Sequence, residues 1–363
     1  MKRIAALVPN SLGVSPGQRV RIETWAPYLE QAGWTVDFYP FEDERLRSVL
    51  YRPGAMRAKV SLLLSCYLRQ LRLVLQGPPC DLLFVFREAA LFGPAILERL
   101  AGRLKVPIIY DLDDPVFVPY RSPINGWFSL LKFSRKTNTI FRLSDHVIAI
   151  NNLIAGYAAK FNPSVSVMPN CVDIERYRPL PRAPDDSLRL VWVGSHSTMR
   201  NLESIADPLR RLQAIHKAPL RVIGAGEVNL PGVDVEMRQW SAQTEVASLQ
   251  DCDVGLVPLP DHPWHRWKFF YKTVQYMATG LPVVARRIGS NSEIIQDGVN
   301  GFLVESEDEW YERLLVLAND RELRQRMGEA ARSTVVEHYS VQKQMPRLVE
   351  IFEQVLERSA TPG

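Results

Sequence analysis

Short apolar runs alternate along the chain with longer segments whose apolar residues recur at helical spacing. The first two runs, at 3–8 and 35–39, flank residues 18–32, where Val20 and Trp25 belong to a helical pattern. This order predicts a strand, a helix and a second strand, and the same alternation then repeats. The further predicted strands lie at 81–86, 106–112, 145–150, 165–170, 188–194, 220–226, 233–238, 254–259 and 281–286.

Nearly continuous apolar strands that alternate with helices are typical of a parallel sheet covered on both faces. The alternation breaks at 178–187, RPLPRAPDDS, where prolines and acidic residues indicate a linker. The pattern therefore predicts an α/β fold of two tandem Rossmann-like domains, at 1–180 and 181–340, that face each other across a cleft. A C-terminal helix and tail at 341–363 follow, and this helix could pack back on the first domain.

The composition is that of an ordinary folded protein, because 46% of the 363 residues are hydrophobic and 23% are charged. Disordered and fibrous classes are therefore excluded. The four cysteines form no CxxC pair, so neither a disulfide framework nor a zinc cluster is indicated. The pattern contains neither a signal peptide nor a run of about 18 apolar residues. These features predict a cytoplasmic protein.

The net charge of +4 is unevenly distributed. Residues 1–180 carry 23 lysines and arginines against 15 aspartates and glutamates, whereas the remainder carries 21 against 25. A basic first half suggests an anionic partner, such as phosphate, nucleic acid or a membrane surface.

The most specific motifs lie in the second half. PWHRWKFFYKTVQYMATGLPVVA at 263–285 is followed by GSNSEIIQDGVNGFLV at 289–304, and MPNCVDIERYRP at 168–179 and VWVGSHSTMRNL at 191–202 precede them. In order and spacing these segments resemble glycosyltransferase family 4, whose members are retaining enzymes of the two-domain GT-B fold. The resemblance implies transfer of a sugar from a nucleotide-diphosphate sugar to an acceptor hydroxyl, with no metal or other cofactor.

A metal-free site for a diphosphate needs backbone N–H groups, a helix N-terminus and cationic side chains. The segment at 268–280 offers Lys268 and Lys272, four residues apart at the start of a predicted helix, and the neighbouring Phe270 and Tyr271. We expect all four residues to contact the donor, with Lys272 as a catalytic cation. Solvated lysines on a helix surface are the alternative.

The segment after the first predicted strand of the second domain offers a further donor contact. Gly194 and Ser195 end this strand, and Arg200 stands where the family usually has a lysine for the diphosphate. An arginine keeps the charge and can bind two oxygens, so Arg200 is predicted to be catalytic. For Gly194, a simple strand terminator is an equally weighted alternative.

Two departures from the family pattern concern the donor. The family's two glutamates, eight residues apart, match Trp267 and Gln275, so both carboxylates are absent. The amide oxygen of Gln275 can still accept a ribose hydroxyl. Trp240 could stack on the base or belong to the core. Glu293 is expected near the pyrophosphate or the ribose, and the donor sugar is not assigned.

In the first domain, the loop SPGQR at 15–19 resembles the family's first glycine-containing loop, with Gly17 as its flexible residue and Arg19 able to reach the ligand. Asp113 and Asp114 follow a buried strand, and either could orient a sugar hydroxyl or deprotonate the acceptor. A metal site and a helix cap are the alternatives.

The acceptor is predicted to be a sugar, a lipid-linked sugar or a small molecule, and not a nucleic acid. Residues 55–76 and 127–142 combine basic and apolar side chains, including Trp127, Phe128 and Lys132, which suits either peripheral association with an anionic membrane or packing on the core. We therefore predict an enzyme of cell-surface polysaccharide or glycolipid synthesis. A natural-product glycosyltransferase and a binding protein without transferase activity are the alternatives. A dehydrogenase is disfavoured because no GxGxxG motif follows a first strand.

Overall fold

A computed structural model describes residues 1–52, 54–119, 133–180 and 188–360. The chain divides into two compact units, Met1–Asn170 together with Met345–Gly363, and Cys171–Gln344. Trp127, Phe128 and Lys132 of the basic segment, and residues 181–187 of the expected linker, lie outside the described residues.

The first unit contains a six-stranded sheet in which all neighbouring strands are parallel. Its strands are β1 (Lys2–Val8), β2 (Trp34–Pro40), β3 (Leu82–Phe86), β4 (Ile108–Leu112), β5 (His146–Ala149) and β6 (Val165–Val167). Its helices are α1 (Pro16–Gln18), α2 (Thr24–Gln31), α3 (Glu44–Leu50), α4 (Met56–Gln76), α5 (Ile96–Ala101), α6 (Lys136–Leu143) and α7 (Asn152–Ala158). A π-helical turn at Arg19–Glu23 joins α1 to α2.

The second unit repeats this architecture with a second six-stranded parallel sheet. Its strands are β7 (Leu190–Val193), β8 (Leu220–Ile223), β9 (Val235–Arg238), β10 (Val254–Val257), β11 (Val283–Arg286) and β12 (Gly301–Val304). Its helices are α8 (Met199–Glu203), α9 (Ala206–Gln213), α10 (Ala247–Gln250), α11 (Pro263–Arg266), α12 (Tyr271–Ala278), α13 (Asn291–Ile294), α14 (Glu307–Asn319) and α15 (Arg321–His338).

The strand orders locate the point at which each sheet reverses direction. The first sheet runs β2-β1-β3-β4-β5-β6 and the second runs β12-β11-β10-β7-β8-β9. The reversal therefore falls between β1 and β3 in the first sheet and between β7 and β10 in the second. In sheets of this kind ligands bind at the carboxyl ends of the strands beside the reversal. The predicted α/β fold with two tandem Rossmann-like units is confirmed.

Burial on both faces explains the nearly continuous apolar strands. In β7, Leu190 and Trp192 belong to one buried cluster of the second unit, whereas Val191 belongs to another that includes Tyr276. Alternate residues of the strand thus face opposite layers of helices. No helix in the described part of the chain is long and apolar enough to cross a membrane.

The last helix, α16 (Val341–Ala360), begins in the second unit and belongs to the first unit from Met345 onward. There the buried ring of Phe352 packs edge-on against Trp34 at 5.5 Å between ring centroids and lies 6.2 Å from Phe84. Near the same end, Lys2 and Glu353 form an exposed ion pair. Aromatic burial therefore attaches the end of the chain to β2 and β3 of the first sheet.

Replacement of this ring should destabilise the first unit. Because Phe352 is fully buried, Phe352→Ala should lower the free energy of unfolding by about 3–5 kcal/mol, as measured by urea denaturation followed by circular dichroism. The matched control is Gln354→Ala on the exposed side of the same helix, which should change it by less than about 0.5 kcal/mol. Equal stability of the two variants would contradict this assignment.

Candidate functional site

Two segments that carry predicted donor-binding residues of the second unit follow the strands beside the reversal of its sheet. The segment after β7 carries Gly194, Ser195 and Arg200, and the segment after β10 leads through Lys268 to Lys272 in the first turn of α12. Both segments therefore leave the carboxyl ends of the two strands where a ligand is expected.

Gly194 makes room for an aromatic ring rather than merely ending a strand. A Cβ atom at this position would lie 2.0 Å from the Trp192 ring, and its amide donates to the Ile223 carbonyl at 2.9 Å. The ammonium group of Lys272 lies 5.3 Å from the centroid of the same ring. This glycine thus lets Trp192 fold under the loop and support a lysine.

Lys272 is a half-buried residue in the first turn of α12. Within the described residues, no carboxylate lies within ion-pair distance of its ammonium group. Burial, together with the like charge of Lys268, lowers the pKa of Lys272 to about 8. Because an anion at this position would stabilise the charged form, the environment of Lys272 suits an anionic ligand.

The other predicted groups of these two segments have different environments. Arg200 is exposed on α8, whereas the Ser195 amide donates to Thr198 Oγ1 at 3.0 Å. The Phe270 amide donates to Ser290 Oγ at 2.7 Å, and the Lys268 carbonyl accepts from the Ser290 amide at 3.3 Å. The amides of Ser195 and Phe270 therefore form hydrogen bonds within the protein. The cationic groups considered for a ligand are the side chains of Arg200 and Lys272.

Two glycines and a tryptophan bring the β8 and β9 loops to the same place. Gly224, with φ of +88°, follows β8, and a Cβ atom there would lie 2.8 Å from the Gly194 carbonyl and 3.1 Å from Trp240 Cβ. Trp240 as a whole residue is 38% exposed. The structure thus places Trp240, a partly exposed residue, beside the Gly194 loop.

A polar network that the sequence did not suggest lies behind Trp240. Glu245 accepts from Trp240 Nε1 at 3.0 Å, from Gln275 Nε2 at 3.0 Å and from the Tyr177 hydroxyl at 2.9 Å. Gln275 Nε2 also donates to the Tyr177 hydroxyl at 2.7 Å. Burial, with Tyr177 and Glu245 nearby, raises the pKa of Tyr271. Glu245 stands in a polar segment between predicted strands, so no periodicity singled it out.

Glu293 is the remaining predicted donor contact. It lies exposed in the four-residue helix α13, directly after the loop that contains Ser290. Of the predicted donor residues, the structure connects Gly194, Trp240 and Lys272 through shared contacts, and Gln275 joins them through Glu245.

In the first unit, the predicted residues meet around an arginine that the sequence analysis overlooked. Arg87 follows β3, and its guanidinium binds both carboxylate oxygens of Asp113 and one of Asp114. Gly17 lies in helix α1 and not in a flexible loop, and a Cβ atom there would lie 2.3 Å from Asp113 Oδ2. The sequence feature that could have identified Arg87 is its position directly after an apolar strand.

Arg87 adopts a left-handed backbone conformation, with φ of +56°, which is unusual for a residue other than glycine. Its cation and the two aspartates form a compact polar group at the carboxyl ends of β3 and β4. Arg19, the other predicted residue here, is half-buried in the π-helical turn. Among the described residues, no group of three or more histidine, cysteine, aspartate or glutamate side chains could hold a metal ion.

Comparison with known proteins agrees with this architecture. Residues 16–176 match the family model described as Glycosyltransferase Family 4, and residues 187–320 match the one described as Glycosyl transferases group 1. The sulfoquinovosyl transferase SQD2 of Arabidopsis thaliana is 24% identical over 377 aligned positions, which cover 91% of this chain and 69% of that protein. Spore coat protein SA of Bacillus subtilis is 29% identical, but the match covers only 24% of this chain and 25% of that protein.

Solved glycosyltransferase structures have the same fold over almost the whole chain. A sucrose-phosphate synthase from Thermosynechococcus elongatus has a TM-score of 0.75 at 13% identity, covering 99% of this chain and 100% of that one. Anabaena HepE, solved in complex with UDP-glucose, has a TM-score of 0.66 at 17% identity, covering 99% of each chain. The chain therefore belongs to the GT-B glycosyltransferases, with a Glycosyltransferase Family 4 segment followed by a Glycosyl transferases group 1 segment.

Proposed function

We propose that the second unit binds a nucleotide-diphosphate sugar and that the enzyme transfers the sugar, with retention of configuration, to an acceptor hydroxyl bound by the first unit. The observation that carries this proposal is Lys272, a half-buried cation without a described acidic partner at the reversal of the second sheet. HepE, a protein with the same fold, was solved with UDP-glucose, so a uridine diphosphate sugar is the first donor to test.

The diphosphate is the leaving group, and negative charge develops on it as the bond to the sugar breaks. Lys272 and the exposed Arg200 are the cations that would stabilise this charge, without a metal or other cofactor. The partly exposed Trp240 is the aromatic side chain proposed to contact the base, and Gln275 offers an amide oxygen for the ribose. Each group therefore meets a different part of the donor.

Retention follows if the acceptor attacks from the face that the diphosphate leaves. The bond between the anomeric carbon and the phosphate oxygen breaks, the acceptor oxygen bonds to that carbon on the same face, and the acceptor proton passes to the departing phosphate oxygen. In the first unit, Asp114 has a side chain that is 27% exposed and can orient an acceptor hydroxyl. Both carboxylate oxygens of Asp113 accept hydrogen bonds from Arg87, so the role of Asp113 is to hold that arginine in place.

Removal of the exposed cation tests the catalytic assignment. Arg200→Ala should lower kcat at saturating UDP-sugar by about 10- to 100-fold, because a charge-assisted contact contributes about 1.5–3 kcal/mol. The matched control is Arg326→Ala, another exposed arginine of the second unit, which should leave kcat unchanged. If the Arg200 variant keeps the wild-type rate, Arg200 does not stabilise the departing diphosphate.

The lowered pKa of Lys272 predicts a proton taken up on ligand binding. With a pKa of about 8, roughly half of the free protein has neutral Lys272 at pH 8, and a bound diphosphate should restore the charge. Calorimetry of UDP binding in buffers of different ionisation enthalpy should therefore show uptake of about half a proton at pH 8 and much less at pH 6.5. UDP affinity should fall as the pH rises above 8.

Lys272→Arg is the matched control for this measurement. An arginine stays protonated over the whole range, so this variant should bind UDP without the proton uptake at pH 8. Equal uptake by both proteins would show that another group titrates on binding.

We propose further that the acceptor is lipid-linked and that α4 contacts an anionic membrane surface. Residues 45–80 contain seven lysines and arginines and no acidic residue. One side of α4 carries apolar side chains that are 44–62% exposed, spaced four residues apart over its first four members: Met56, Val60, Leu64, Leu68 and Leu75. An apolar row with flanking positive charge fits the interface of an anionic bilayer.

A double charge substitution on this row tests the membrane assignment. The wild-type protein should sediment with vesicles that contain phosphatidylglycerol and much less with pure phosphatidylcholine vesicles. Leu64→Glu combined with Leu68→Glu should abolish binding, whereas Ile215→Glu, at a 60% exposed position of the second unit, should not. Equal binding by both variants would exclude α4 as the contact.

A further inference from the structure

The carboxylate of Glu245 is the centre of the network behind the proposed nucleotide site. It is 7% exposed, and its two oxygens accept from three different side chains, those of Trp240, Gln275 and Tyr177, with Arg176 a further 3.4 Å contact. A carboxylate that receives this many donors is saturated, so it has little capacity left for a ligand. Its effect must therefore pass through the side chains that it holds.

The first of these side chains is Gln275. Its amide nitrogen donates to Tyr177 at 2.7 Å and to Glu245 at 3.0 Å, and a primary amide has only two hydrogens to donate. Both donors are therefore used, and Oε1 is the polar atom left to accept from a ligand. A flipped amide would place Oε1 against the carboxylate of Glu245, which would be unfavourable. Glu245 thus fixes which atom Gln275 presents.

The same contact accounts for the amide at position 275, which matches a glutamate of the family pattern. A glutamate at 275 would place a second carboxylate about 3 Å from Glu245, and like charges at that separation cannot both be ionised at low cost. In this pair the carboxylate lies in the segment before α10 and the amide lies on α12.

Trp240 is the second side chain that Glu245 holds. The hydrogen bond from Trp240 Nε1 fixes the ring plane next to Gly224, whose close approach leaves no room for a side chain. One buried carboxylate therefore orients both the ring proposed for the base and the amide proposed for the ribose.

We propose that Glu245 is a positioning residue of the nucleotide site, which orients Gln275 Oε1 toward the ribose hydroxyls and the Trp240 ring toward the base. The pair should therefore still function when the carboxylate and the amide exchange positions. This inference rests on the proposed function, since it requires a ribonucleotide as ligand.

The experiment exchanges the two side chains. UDP and 2′,3′-dideoxy-UDP are titrated calorimetrically at pH 7.5 against the wild type, Gln275→Glu, and the double variant Glu245→Gln with Gln275→Glu. The wild type should prefer UDP by about 10-fold, because the dideoxy ligand lacks the hydroxyls that Gln275 accepts from. Gln275→Glu should lose most of this preference, and the double variant should regain it to within about 3-fold.

The ratio of the two affinities separates positioning from a purely structural role. A structural defect should weaken both ligands equally and leave the ratio unchanged. The preference of Gln275→Glu should also return partly at pH 6, where the two carboxylates can share a proton, whereas the double variant should show no such dependence. Glu322→Gln, which changes an exposed glutamate, is the matched control and should behave as the wild type.

Tyr177→Phe provides a second route if the exchanged variants fail to fold. It removes one acceptor of the Gln275 amide, and should reduce the preference for UDP by about 3-fold. A double variant that does not regain the preference, or a Tyr177→Phe variant that keeps it fully, would overturn the assignment of Glu245. Failure of the wild type to bind any of the common nucleoside diphosphates would instead overturn the proposed function, and this inference with it.

Discussion

A half-buried positive charge with no carboxylate partner in the described part of the chain is the constraint around which the second unit is organised. Lys272 is surrounded by the Trp192 ring and a neighbouring lysine, and its lowered pKa reflects the cost of keeping it charged there. A structure pays such a cost where function requires it, because an anionic ligand would recover the lost stability. Because Gly194 has no side chain, the Trp192 ring can pack beneath its backbone, and Lys272 lies against that ring.

The first unit handles buried charge in the opposite way. The Arg21–Asp111 pair is fully buried, and its guanidinium also donates to the Met168 carbonyl at 2.8 Å. Arg87 binds two aspartates, and Lys136 pairs with Glu88 at 2.7 Å. These charges are neutralised within the unit, so removal of one partner would leave an uncompensated buried charge. The second unit also contains a buried paired cation, Arg221 with Glu236, so Lys272 differs from its surroundings in having no carboxylate partner among the described residues.

The two departures from the family pattern differ in their consequences. At Gln275, the loss of a carboxylate is matched by Glu245, which lies within hydrogen-bond distance and accounts for the amide. At Trp267 an aromatic ring stands where the family pattern has its other carboxylate, so this position contributes no charge of its own. A substitution in one motif therefore has to be interpreted with the residues that surround it in space.

The amino-acid sequence by itself determined the α/β class, the strands of the first sheet, those of the second sheet except β12, and the positions of Gly194 and Lys272, because apolar periodicity and strand ends are local properties of the chain. Only the tertiary structure decided the partners of these residues. Arg21 turns inward at a π-helical turn to meet Asp111, and Glu245 reaches Gln275 across 30 residues of chain. Such contacts depend on side-chain distances between separate elements, which no local pattern encodes.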